Sequence, residues 1–166
     1  MDRITDTLFI GDISDLSPLE DTLVEPEEFD SVITCGPKET PYTTEQYDIE
    51  TENVDNRLFF DAVESVRRSY REGKITFVHC MSGISRNSMV TATALAAEED
   101  ITLDEAFDVI AEANSKAKGN RELGLLGEQY LANETANYTY ADRYEETDDI
   151  LVTQNENVFD NVELDI

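Results

Sequence analysis

An α/β sandwich is the fold class that this sequence of 166 residues predicts. Two observations carry it. Ile75-Thr76-Phe77-Val78 is an apolar run without polar alternation, the pattern of a strand covered on both faces inside a parallel sheet. Segments of strand character are also followed along the chain by segments of helical periodicity, the order that packs into layers.

Ile4 to Asp12 reads as a strand or hairpin closed by Gly11, and Phe29 to Pro37 as a short buried strand ended by Gly-Pro. Tyr47, Ile49 and Thr51 alternate with acids, which predicts another strand over Gln46 to Glu52. From Asn56 to Arg71 the period changes: Leu58, Phe59, Ala62, Val63, Val66 and Tyr70 share one helical face. Asn87 to Glu99 is apolar nearly all round and reads as a central buried helix. Thr102-Leu103-Asp104-Glu105 is a capping box opening a helix with Leu103, Ala106, Phe107, Ile110 and Ala113 inward. A last amphipathic helix is expected over Arg121 to Ala132, weakened by Gly124 and Gly127. From Tyr138 onward nine acids face the single Arg143, so the chain divides into a domain over 1–134 and an acidic tail over 135–166, largely disordered or partly docked.

Twelve Lys and Arg against 38 Asp and Glu give a net charge of −26. A nucleic-acid or anionic-membrane surface is therefore not expected, because the chain's own field repels phosphate. Acids spread along the whole chain, with only four lysines, point to a proteome adapted to molar salt, where the Debye length shrinks to about 3 Å. No apolar stretch reaches the roughly 18 residues of a membrane span, and the start lacks the charged and apolar regions of a secretory signal. A cytoplasmic protein is expected. Two cysteines in such a chain make no disulfide scaffold, and Cys35 at a strand end reads as core.

The chemistry concentrates in Val78-His79-Cys80-Met81-Ser82-Gly83-Ile84-Ser85-Arg86-Asn87-Ser88, where a buried strand ends and a helix begins. Such a turn aims backbone N–H groups and the positive end of a helix dipole at one point. Gly83 lets the loop curl around an anion, and Arg86 returns at the helix start to grip phosphate-like oxygens with two donors. A cysteine in that nest is expected as a thiolate nucleophile. A buried structural cysteine is the commoner fate of a lone Cys, but His-Cys-x-x-Gly-x-x-Arg at a strand-to-helix turn is too specific a pattern for that.

The stretch resembles the His-Cys-x5-Arg signature of the cysteine-dependent protein tyrosine phosphatases, specifically their small dual-specificity branch. The similarity runs from about Arg3 to Leu131, with Ile4 to Gly11, Phe29 to Cys35 and Thr102 to Ala113 resembling that family's elements. It implies a central, mostly parallel sheet flanked by helices, catalysis without metal or other cofactor, and a cysteinyl-phosphate intermediate. By residue match, Cys80 is the nucleophile and Arg86 the phosphoryl clamp, with the backbone of Met81, Ser82, Gly83, Ile84, Ser85 and Arg86 binding phosphate. His79, Asn87 and Ser88 support the loop. The implied partner is a phosphoprotein or another phosphomonoester substrate, with phosphotyrosine and phosphoserine or phosphothreonine in view.

Two departures stand out. The family carries Ser or Thr directly after the arginine, whereas this chain has Asn87 there and Ser88 one place later. The family also places an Asp upstream as general acid. Here Thr51, between Glu50 and Glu52, falls nearest that place, which leaves Asp55, Glu52 and Asp48 as candidates, Asp55 first. Asp55 serves equally as an N-cap. These departures keep two rivals open: a phospho-residue binding module with little catalysis, and an arsenate reductase of related fold.

Overall fold

The computed structural model describes residues 1–17 and 24–143, of which 135–143 as backbone only. Its strands are β1 (Asp2–Arg3), β2 (Leu8–Asp12), β3 (Ser31–Thr34), β4 (Glu45–Gln46) and β5 (Thr76–Cys80). They form one sheet in the order β1-β2-β5-β3-β4, parallel except for β1, which runs antiparallel to β2. The Ile4 to Asp12 segment is thus the turn and second strand of a hairpin. Thr5 Oγ1 accepts the Leu8 N–H at 3.1 Å within its turn.

The central position of β5 explains its unbroken apolar run. Val78 and Cys80 join Leu8, Ile10 and Ile33 in the core beneath the helices. Phe77 points to the opposite face, where it meets Phe9, Val32, Leu16 and Phe29. The Phe29 ring centroid lies 5.8 Å from that of Phe9 and 5.3 Å from that of Phe77. Short 3-10 turns, Ile13–Leu16 and Pro26–Glu28, carry or flank Leu16 and Phe29 on this side.

The strand expected over Gln46 to Glu52 is corrected to the two residues of β4. Tyr47 N–H still reaches Thr34 O at 2.8 Å, but Ile49 N–H folds back onto Tyr47 O at 2.9 Å and turns the chain out of the sheet. The apolar alternation there reflects one anchor, Ile49, which is 1% exposed.

Helix α1 spans Asn56–Arg71, as its periodicity predicts, and its N-cap is Asp55. Helix α2 (Arg86–Glu99) is buried from Asn87 to Ala96, which is why it lacks a polar face. Helix α3 (Leu103–Ala113) opens on the reciprocal Thr102–Glu105 capping box. Helix α4 runs over Arg121–Arg143, beyond the expected end at Ala132. No Gly or Pro follows Gly127 in the sequence, so nothing stops a helix whose continuation adds a hydrogen bond per residue. Residues 135–143, which the sequence assigns to a tail largely disordered or partly docked, are helical, and the remainder of that tail lies outside the described residues. The chain divides into two units, Met1–Leu131 and Ala132–Ile166.

Gly127 has a packing reason. A Cβ there would stand 2.7 Å from Thr93 Oγ1 and 2.9 Å from Leu103 Cδ2, so its absence lets the start of α4 lie directly on α2 and α3. Arg67, 6% exposed, ties α1 to α2 through Glu98 at 2.6 Å and also donates to the Tyr130 hydroxyl on α4. Burial raises the Glu98 carboxyl, but its bonds to Arg71 and Arg67 outweigh that and hold it below the ordinary glutamate range. Thr91 on α2 is the exception: its buried hydroxyl has no hydrogen-bond partner among the described residues. The isosteric change Thr91→Val removes an unpaired polar atom, so it is expected to raise stability by about 1 kcal/mol in urea unfolding; a lower midpoint would contradict this. Among the described residues no helix is long and apolar enough to cross a membrane.

Candidate active site

Strand β5 delivers Cys80 to the carboxyl edge of the sheet, and α2 begins six residues later. Between them the chain curls tightly. Gly83 adopts φ +64, and a Cβ on it would come 2.9 Å from the Gly11 carbonyl carbon and 3.0 Å from Asp12 N. Only glycine combines that left-handed backbone with so close an approach. The backbone N–H groups of Met81, Ser82, Gly83, Ile84 and Ser85 donate to no protein acceptor among the described residues. Five consecutive unspent donors at the start of a buried helix form an anion cradle, and Cys80, 2% exposed, lies at its base.

The loop is held from outside itself. Asn114, the C-cap of α3, donates from Nδ2 to Gly83 O at 3.1 Å, and Lys118 N–H donates to Ile84 O at 3.0 Å. Ser88 Oγ donates to the same Ile84 carbonyl at 3.0 Å. In the sequence, Asn114 signals no more than a helix end, and nothing local links Lys118 to Ile84.

His79 is fully buried, stacked on Phe77 at 5.6 Å, with Nε2 2.8 Å from Thr34 Oγ1 and Nδ1 3.4 Å from Cys80 O. Burial is the main influence on its imidazole and keeps it below the ordinary histidine range despite the Cys80 carbonyl, so the ring is neutral and serves as a support. Cys35 is also fully buried, one residue past the Thr34–His79 pair, and its N–H donates to His79 O at 2.7 Å. Burial, reinforced by Cys80 and opposed by Arg86, pushes the Cys35 thiol far up, so it stays an inert core thiol.

Asn87 is fully buried directly beneath Cys80. Its Nδ2 donates to Gly11 O at 2.9 Å and to Val78 O at 3.4 Å, which leaves Oδ1 to accept from Cys80 Sγ at 3.1 Å. The two carbonyls fix the amide, because a flip would set oxygen against oxygen. An acceptor oxygen serves the S–H form of the cysteine and offers a thiolate no donor. Asn87→Ser replaces it with a rotatable hydroxyl that donates to sulfur. If the cysteinyl-phosphate that the resemblance implies forms, its breakdown is expected to speed up about fivefold, the worth of one hydrogen bond of about 1 kcal/mol. Burst kinetics read this directly, and an unaltered second phase would remove the role.

Arg86 opens α2 and sends Nη1 to Ile49 O at 3.3 Å. This contact ties the loop after Ile49, where the acid candidates lie, to the cradle. Asp55 is exposed and its Oδ1 accepts Arg57 N–H at 2.9 Å, so it caps α1. Glu52 and Asp48 are exposed, with no hydrogen bond or ion pair among the described residues. No group of three or more His, Cys, Asp or Glu able to hold a metal occurs among the described residues.

This fold is that of the dual-specificity phosphatases. The chain is similar to human DUSP28 over 82% of its length and 99% of that chain, at 15% identity and a TM-score of 0.69. It is similar to PTPMT1 over 83% and 98%, at 20% identity and a TM-score of 0.66. It is also similar to the human tyrosine phosphatase-like serine/threonine/tyrosine-interacting protein over 81% and 97%, at 19% identity and a TM-score of 0.67. No family profile and no curated protein matches the chain in sequence.

Proposed function

We propose that the protein hydrolyses phosphomonoesters through a cysteinyl-phosphate, on phosphotyrosine and on phosphoserine or phosphothreonine. The observation that carries this reading is the row of five unspent N–H groups over Cys80, closed by Arg86. The Cys80 thiolate attacks phosphorus, the ester P–O bond breaks, and an acid on the 48–55 loop protonates the departing oxygen. Water then attacks phosphorus and gives a proton back to that carboxylate, the P–S bond breaks, and phosphate and thiolate are released. The cradle donors and Arg86 stabilise the three equatorial oxygens as charge builds in both steps. Among the fold neighbours, PTPMT1 has been solved with PI(5)P and a mouse putative dual-specificity phosphatase with zinc tungstate, which supports an oxyanion ligand for this architecture.

The test is hydrolysis of p-nitrophenyl phosphate in molar KCl with EDTA and no thiol reductant. Turnover under those conditions supports the phosphatase and disposes of a thiol-dependent arsenate reductase. The orientation of Asn87 favours one rival, a phospho-residue binding module. A folded protein that binds vanadate without turnover would make that the better reading.

Asp55→Asn separates the acid's two roles, since asparagine caps a helix as well as aspartate does. If Asp55 is the acid, this variant keeps its stability. It loses about a hundredfold or more on phenyl phosphate, and far less on substrates with a good leaving group. Equal losses on both would move the role to Glu52 or Asp48.

A further inference from the structure

The two glycines of α4 differ in what surrounds them. Gly127 is wedged against Thr93 and Leu103, as described above. Gly124 is not: the nearest atom that a Cβ there would meet outside its own helix is Met89 Cε, at 3.9 Å. A glycine inside a helix loses conformational entropy on folding that an alanine would keep, and at position 124 no close approach within the fold offsets that loss. What the missing side chain leaves is a groove of about 400 Å³ between the starts of α3 and α4. Met89 lies at its buried side, Leu103 and Phe107 line it from α3, and Gly124 and Leu125 line it from α4. Leu125 is 56% exposed, the most open large apolar side chain among the described residues.

Arg121, Gly124, Leu125 and Glu128 are spaced i, i+3, i+4 and i+7, so they share one face of α4. Leu123, Leu126, Gly127 and Tyr130 are buried on the opposite face. Arg121 and Glu128 are exposed, both line the groove, and neither forms an ion pair among the described residues. Asp104, the other acid of the groove, lies in the first turn of α3, where it complements that helix's dipole.

The charges on this face have an order. Position 121 is positive and position 128 negative, and the midpoint between them falls between Gly124 and Leu125. A second copy of the face, turned antiparallel about a two-fold axis through that midpoint, sets Arg121 of each copy against Glu128 of the other. The same operation sets Leu125 of each copy against Gly124 of the other, where the groove is open.

We propose that this face binds a second copy of the chain, in a two-fold dimer whose α4 helices meet antiparallel at their starts. Leu125 supplies the apolar contact, Gly124 the room for it, and the two Arg121–Glu128 pairs the direction. Two chains of charge −26 repel at low ionic strength. In molar salt the Debye length of about 3 Å suppresses that repulsion and spares pairs in direct contact. The face is small, so the dimer belongs with weak interfaces that bury less than about 1,200 Å². The proposal makes no use of Cys80 and stands apart from the phosphatase reading.

The experiment is sedimentation equilibrium of the full chain in molar KCl, over concentrations reaching about a millimolar, with circular dichroism to check the fold of each variant. The parent is expected to show a monomer–dimer equilibrium. Leu125→Glu, at an exposed position, should be monomeric throughout. Arg121→Glu and Glu128→Arg should each weaken the dimer about tenfold or more, because each sets like charges opposite one another. The two exchanges together restore both pairs in the antiparallel arrangement, and should bring the dimer back to within about threefold of the parent. A parent that stays monomeric overturns the proposal and leaves the groove to a partner of another kind. A dimer that survives Leu125→Glu has its interface elsewhere, which overturns the proposal equally. Single exchanges without effect, or a double exchange that restores nothing, overturn the antiparallel pairing.

Discussion

Replacing Cys80 by serine is expected to cut turnover by about four to six orders of magnitude while phosphate or vanadate binding persists. Sulfur and oxygen differ little in size, and the cradle around position 80 is backbone, so the five donors from Met81 to Ser85 stay in place. What is lost is the nucleophile alone, since a serine hydroxyl at this position has no neighbouring base. The only histidine faces Thr34 and the Cys80 carbonyl rather than the sulfur. Binding is read by calorimetry and turnover by p-nitrophenol release. Activity retained in the serine variant would end the cysteinyl-phosphate mechanism.

Arg86→Ala carries the next largest effect, a loss of about 10²–10³ in kcat/KM. In the proposed mechanism the guanidinium supplies a full positive charge to the phosphoryl oxygens through two donors. Arg86→Lys should recover little, because an ammonium cannot present that planar fork. Arg86 also holds the 48–55 loop through Ile49 O, so its removal should weaken leaving-group protonation as well as binding. A variant whose KM rises with kcat unchanged would confine Arg86 to ground-state binding.

What was legible in the sequence was local. Helix α1 shows in its periodicity, α3 in its capping box, and the cradle in eleven contiguous residues at a strand-to-helix turn. What was illegible depended on distant contacts. The face Asn87 turns to Cys80 is decided by Gly11 O, 76 residues away in sequence. The clamp on Gly83 comes from Asn114, 31 residues on. β4 ends early because Ile49 leaves the ladder to anchor a loop, and an alternating pattern cannot distinguish that from pairing. The candidate acids stay unresolved for the same reason: in a chain this rich in carboxylates, residue type carries almost no information. Gly127 of α4 reads as a helix breaker because the surface it accommodates, Thr93 and Leu103, is contributed by other helices.

The burial of His79 has a further consequence, for the charge of the whole molecule. Histidine is the side chain that ordinarily changes charge between pH 5 and 8, and this chain has one, sealed between Phe77 and Thr34 and kept neutral. A group sealed in this way stays out of the solvent-facing charge of the molecule, so this imidazole adds no step to a pH–rate profile near neutrality. The second ionisation of a phosphomonoester substrate, near pH 6, falls where a free histidine would otherwise overlap it.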